Sequence, residues 1–346
     1  MQVETSNLNK WKWKQYTITN DNGISVRFLN YGGIITEIRT PDRDGNIENI
    51  VLGFRDYADY KNNPNYFGAL IGRVAGRIHG AAIEVDGKQY SLDKNEGTNH
   101  LHGGNNGFNQ VIWEGKAFEN ESAAGVKLSH LSPDGESGYP GNIEAEVTYT
   151  LNNDNQFIID YAVTADHSTP IALTNHSYFN LSGDLKDTVH NHFVTVDSGR
   201  FLELDENLIA TGNSIDVQDS SFDFREGRLL SDGFSDQTDQ NKIAGNGYDH
   251  YFIFEHKNEN NVTVVEENSG RVLTIQTNQP GMVMFTANTL NEEIELAEGP
   301  SKPYLGVCFE TQGSPASLHH EEFPGIMLKS GETYQKQTIF SFDVEN

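Results

Sequence analysis

Apolar and polar residues alternate with period two through much of this chain, while the period of an amphipathic helix is hard to find anywhere. That pattern admits an all-β fold and little else. Ile24-Ser25-Val26-Arg27-Phe28 alternates near one end, and Thr338-Ile339-Phe340-Ser341-Phe342 near the other. Ile83-Glu84-Val85 and Gln89-Tyr90-Ser91-Leu92 flank Asp86-Gly87-Lys88, the signature of a tight hairpin. Two longer hairpins are expected. One pairs Glu144 to Leu151 with Phe157 to Thr164 across Asn152-Asn153-Asp154-Asn155; the other pairs Val262 to Val265 with Arg271 to Gln276 across Asn268-Ser269-Gly270. Asp56 to Asn62 and Asn288 to Ala297 each read as holding a helical turn or two. The polar, irregular stretch from Asp205 to Asn246 reads as one long loop.

The chain has 346 residues, and its 33 glycines are spread throughout rather than gathered into a linker. No Pro-rich or Ser-rich break separates two halves, so residues 1–346 are expected to form one antiparallel β domain, a large sandwich. Phe108 and Trp113 are expected in its core. The net charge of −26 excludes nucleic acid and anionic membranes as partners, and it disfavours a highly phosphorylated substrate. The single cysteine, Cys308, rules out an internal disulfide, fits a reducing compartment, and reads as a small buried hydrophobe in mid-strand. Met1 to Lys14 lacks the apolar segment of a secretory signal, and no stretch has the apolar length of a membrane span. The cytoplasm is the expected location. Nothing in the chain specifies an oligomeric state.

Glu310 stands out against this background because it ends the apolar run Leu305-Gly306-Val307-Cys308-Phe309. A carboxylate there is costly unless something pairs with it or uses it. With period two, Val307 and Phe309 share one face, and Cys308 and Glu310 the other. Partial desolvation on that face raises the carboxyl's pKa toward neutrality, where a general base works best. Histidines supply the complementary proton donor. His176 lies in Thr174-Asn175-His176-Ser177-Tyr178-Phe179-Asn180-Leu181, after the strand-like Pro170-Ile171-Ala172-Leu173, and His102 lies in Asn99-His100-Leu101-His102-Gly103-Gly104. Taken singly, His176 also fits a core histidine satisfied by backbone, and His102 a turn residue before a glycine pair.

Further landmarks are Gly72-Arg73-Val74-Ala75-Gly76-Arg77-Ile78, Asp134-Gly135-Glu136-Ser137-Gly138-Tyr139-Pro140-Gly141, Gly247-Tyr248-Asp249-His250-Tyr251-Phe252, Thr277-Asn278-Gln279-Pro280-Gly281 and Glu310-Thr311-Gln312. In this order and spacing the set resembles the aldose 1-epimerase (galactose mutarotase) family, from about Gly32 to Phe342. The resemblance implies a β-supersandwich that interconverts the α and β anomers of free aldohexoses without cofactor or metal. Carried onto matching positions, it makes Glu310 the general base and His176 the general acid, with Arg77, His102 and Asp249 holding the sugar. A small free sugar is then the partner.

Some features depart from the family or compete with this reading. Gly313-Ser314-Pro315-Ala316-Ser317-Leu318-His319-His320 differs from the Pro-Asp-Ala-(Val/Ile)-Asn pattern common after Glu-Thr-Gln, and Phe285 stands where Tyr is frequent. His319-His320-Glu321-Glu322 is metal-like in composition, but neighbours in an extended chain point to opposite faces. Arg73 is read as a partner in a structural ion pair. Two other functions share the scaffold: a sugar-binding protein without turnover, and an epimerase of phosphorylated sugars, which needs a cationic site.

Overall fold

The computed structural model describes residues 1–236 and 238–345. Among them the named strands pair antiparallel, and the largest sheet has nine strands. Its middle is built from the expected hairpins: Ile143–Asn152 with Gln156–Ala165, and Asn260–Glu266 with Arg271–Thr277. The C-terminal strand Thr333–Val344 runs between the two hairpins and joins them. Along Ile143–Asn152 every second residue is buried, as the alternation requires. A five-stranded sheet occupies residues 2–49, and a six-stranded sheet contains Asp249–Ile253, Gly281–Phe285 and Val307–Thr311. The architecture is the expected large antiparallel β-sandwich.

One apolar cluster draws side chains from Tyr16 to Phe342 and lies between the sheets. Phe108 and Trp113 are both buried in it. The tight turn between Ala82–Val85 and Lys88–Ser91 puts Asp86 at φ 51° and Gly87 at φ 77°, the left-handed pair that a two-residue hairpin demands.

Two expectations about irregular segments need revision. Tyr57–Asn62 does form a 3₁₀ turn capped by the Asp56 side chain, but residues 288–297 form no helix. Asn288 gives its amide to the carbonyls of Ala244 and Tyr248, while Leu290 and Leu296 turn into a second apolar cluster. Likewise, Asp205 to Asn246 is not one loop. It contains the strand Ala210–Asp216, a pair of residues Arg228–Leu229 on the nine-stranded sheet, and the short helices Ser231–Ser235 and Asp239–Ile243. Ala210–Asp216 is an edge strand in which no residue is fully buried, so its sequence carries no apolar alternation.

Candidate active site

Three neighbouring strands build the floor of a cleft of about 300 Å³. Val283 lies opposite Tyr251 on one side and Glu310 on the other, and Phe285 lies opposite Asp249 and Cys308. Residues opposite one another across a ladder share a face, so these six side chains emerge on the same side of the sheet. All but Cys308 line the cleft. Val307 and Phe309 point the other way, into the main core. The strand is buried at all five residues, so Glu310 lies deeper than a strand end would suggest.

His176 ends the short strand Thr174–His176, and the chain kinks before continuing as Tyr178–Phe179, which pairs with Val307–Thr311. Asn175 holds the kink: its side-chain oxygen accepts both the N–H and the Oγ–H of Ser177, and its amide donates to the Gly68 carbonyl. The kink leaves His176 Nε2 3.5 Å from Glu310 Oε1 and His176 Nδ1 3.5 Å from Cys308 Sγ. Both side chains are buried, His176 at 4% exposed and Glu310 at 3%.

Arg77 begins the segment Arg77–Ile78, and His102 follows the segment His100–Leu101 that pairs with it. The His102 N–H donates to the Gly76 carbonyl, and the Gly76 N–H donates back to His102 Nδ1 at 3.1 Å. Nδ1 therefore accepts, and a neutral His102 carries its proton on Nε2. Gly103 permits this clamp, because a Cβ there would meet the Gly72 carbonyl oxygen at 1.8 Å and φ is +88°. Across the cleft, Arg77 Nη1 lies 3.5 Å from Asp249 Oδ2, and Arg77 Nε donates to both oxygens of Glu96 at 2.8 and 3.0 Å. Tyr66 closes this side, its ring packed edge-on to His102.

Desolvation dominates the electrostatics. Burial pushes His176 down to about 4, and it holds His102 well below the usual imidazole range, with the His176 and Arg77 charges adding to the effect. Burial raises Asp249 to about 6 against the pull of Arg77. It also raises Glu310 well above the carboxylate range, with Asp249 reinforcing and Arg77 opposing. For Arg77 burial works against the charge, but Asp249 and Glu96 outweigh it and raise the pKa.

The structure thus brings together Glu310, His176, Arg77, His102 and Asp249 around one cleft. Glu96 and Tyr66 belong there too, and sequence reasoning missed both, since neither sits in a patterned strand. Arg73 is structural, but it is not the ion pair anticipated. Its buried guanidinium donates to Ser132 Oγ and to the carbonyls of Ser132, Pro133, Pro140 and Gly141. His319 and His320 line the cleft wall, with the His319 ring 6.2 Å from that of His79. His102, His176 and Glu310 offer ligand atoms within 4.8 Å of one another, a donor set that a zinc ion can use. The His102 tautomer works against this. With Nδ1 accepting from Gly76, the remaining nitrogen is an N–H, suited to a hydroxyl oxygen rather than a cation.

A β-supersandwich carrying a buried Glu–His pair in a cleft fits a carbohydrate epimerase, and comparison with known proteins shows that class. The aldose 1-epimerase family profile matches residues 14–341. Galactose mutarotase of Homo sapiens is 39% identical over 93% of this chain and 92% of its own length. An aldose epimerase homologue from C. elegans superposes with a TM-score of 0.87 at 30% identity, covering 95% of this chain and 98% of that one. Galactose 1-epimerase from Lactobacillus acidophilus gives a TM-score of 0.89 at 26% identity, with both chains covered completely (100% each). The chain belongs to the aldose 1-epimerase family, whose members interconvert the anomers of aldoses.

Proposed function

We propose that this enzyme interconverts the α and β anomers of free aldohexoses, galactose and glucose, with Glu310 as general base and His176 as general acid. Glu310 takes the proton of the C1 hydroxyl while His176 gives one to the ring oxygen, and the C1–O5 bond opens to the aldehyde. Rotation about C1–C2 presents the other face of the carbonyl. The protonated Glu310 then returns its proton to the carbonyl oxygen as the C5 hydroxyl adds, and His176 recovers a proton from that hydroxyl. Arg77, His102 and Asp249 hold the remaining hydroxyls, His102 as a donor through Nε2. The pair holds one proton throughout, on His176 before opening and on Glu310 after it. Burial lowers the His176 pKa and raises that of Glu310, so relative to water it favours the pattern with the proton on Glu310, the one reached after ring opening.

The 3.5 Å approach of His176 Nε2 to Glu310 Oε1 inside a sugar-sized cleft carries this reading. The same observation favours turnover over binding alone, since a mere sugar-binding site has no need of two titrating groups buried side by side. The cycle closes within the pair, so activity is expected to survive exhaustive chelation without added nucleotide. Residues 1–346 act as one domain in this proposal, supported by a core that draws on both ends of the chain. The single cysteine supports a protein of the cytoplasm, and the acidity supports one with no nucleic-acid partner. Among the described residues no helix is long and apolar enough to cross a membrane. Polarimetry of freshly dissolved α-galactose and α-glucose is the test. Rotation should reach equilibrium faster with enzyme, and an unchanged relaxation with both sugars overturns the proposal.

A further inference from the structure

Among the described residues lining the cleft, Arg77 is the sole lysine or arginine, and it faces three carboxylates, Glu96, Asp249 and Glu310. Its guanidinium is already committed, to Glu96 through Nε and to Asp249 through Nη1. Glu310 belongs to the proposed chemistry and Asp249 to sugar binding. Glu96 has neither duty. Its side chain is 34% exposed against 16% for Asp249 and 4% for Glu310, so of the three carboxylates it is the most open to solvent.

We propose that Glu96 is a specificity-determining residue that sets the charge preference of the cleft, admitting neutral aldoses and excluding anionic ones such as sugar phosphates and uronates. This rests on the reading that the sugar binds in this cleft. Glu96 acts twice over. It occupies the one cation that could otherwise receive a phosphate or carboxylate, through a charge-assisted contact from Nε to both of its oxygens. It also leaves the wall with an excess of negative charge, which a neutral hexose does not feel and an anion does. The chain's overall charge of −26 acts in the same direction but from a distance, where salt screens it.

The test compares kcat/KM for glucose, glucose 6-phosphate and glucuronate, the last carrying charge without a phosphate's bulk. The proteins are the wild type, Glu96→Gln, Glu96→Asp and the control Glu114→Gln, which removes one charge from an exposed residue outside the cleft lining. Glutamine can still accept from Arg77 Nε, so positioning is retained while the charge goes. The ratio of anionic to neutral substrate should rise about five- to tenfold in Glu96→Gln, as expected for one poorly screened charge. It should stay near the wild-type value in Glu96→Asp and in Glu114→Gln. The wild-type discrimination should weaken with added salt, and that of Glu96→Gln should respond less. A ratio unchanged in Glu96→Gln, or shifted equally by Glu114→Gln, overturns the proposal while leaving the epimerase reading intact. Absence of turnover with every sugar overturns both.

Discussion

Glu310 and His176 are moved in opposite directions by one cause, the loss of water around them. Asp249 adds to the effect on Glu310, because its charge opposes ionisation of a second carboxyl in the same cleft. The alkaline limb of the pH profile should therefore report the loss of the last proton from the Glu310–His176 pair. Replacing Asp249 with Asn removes a charge that holds that proton on, so the limb of kcat/KM should move to lower pH, whatever happens to its height. A limb that stays in place or moves up contradicts the coupling. His176→Asn should lower kcat by about 10²-fold or more, because the ring oxygen loses its donor. If KM rises instead and kcat holds, His176 is a binding residue and the acid lies elsewhere, with His102 the first to examine.

At the scale of elements, what could be read from the sequence is what local chemistry specifies. The hairpin at Asp86-Gly87 follows from two residues that tolerate positive φ, and the alternation of residues 143–152 follows from one buried face. The period-two pattern of Val307 to Glu310 is enough to place Glu310 on the face that lines the cleft, and the family motifs supply the four residues gathered around it there, Arg77, His102, His176 and Asp249. The edge strand Ala210–Asp216 was hidden because it buries so little. Glu96 was hidden for a different reason: its partner is 19 residues away, and only the pairing of Arg77–Ile78 with His100–Leu101 brings the two together. Arg73 shows the same limit, since the carbonyls it gathers come from the segment 132–141. A lysine there cannot reach a ring of carbonyls with a planar fork. Arg73→Lys is therefore expected to cost about 3 kcal/mol of stability through unsatisfied buried carbonyls, measurable by urea unfolding. A midpoint and slope equal to the wild type's would contradict that account.

Across the whole molecule, buried histidines outnumber buried carboxyls in setting the acid response. Burial lowers His176 and His192 to about 4 and His250 to about 3, and it holds His102 well below its usual range. Each folded-state pKa is depressed, so the unfolded chain binds protons first as pH falls below about 6.5. Their contribution is full above that point and is lost on descent toward 4, by up to about 3 kcal/mol for a group shifted as far as His192. Asp249 and Glu310 act the other way, since raised carboxyl pKa values favour the folded state as pH falls through the same window. His100 is lowered by burial as well and Glu298 is raised, so among the described residues five buried histidines stand against three raised carboxyls and fix the sign. Tm should fall steadily between pH 7 and 4.5, and His192→Gln, which removes a titrating group outside the cleft lining, should flatten that fall. A Tm that rises on acidification contradicts the balance.

In the proposed mechanism one buried carboxylate and one buried imidazole carry out the opening and closing of the sugar ring. Exchange spectroscopy on equilibrated glucose, comparing wild type with Glu310→Gln at equal concentration, tests it most directly. Glutamine keeps the shape and the hydrogen bonds to the sugar but cannot take the C1 proton. Exchange between anomers should be fast with the wild type and about 10²- to 10⁴-fold slower with the variant, while the variant still binds glucose with similar affinity. A folded Glu310→Gln enzyme that exchanges the anomers within a few-fold of the wild-type rate would contradict the account.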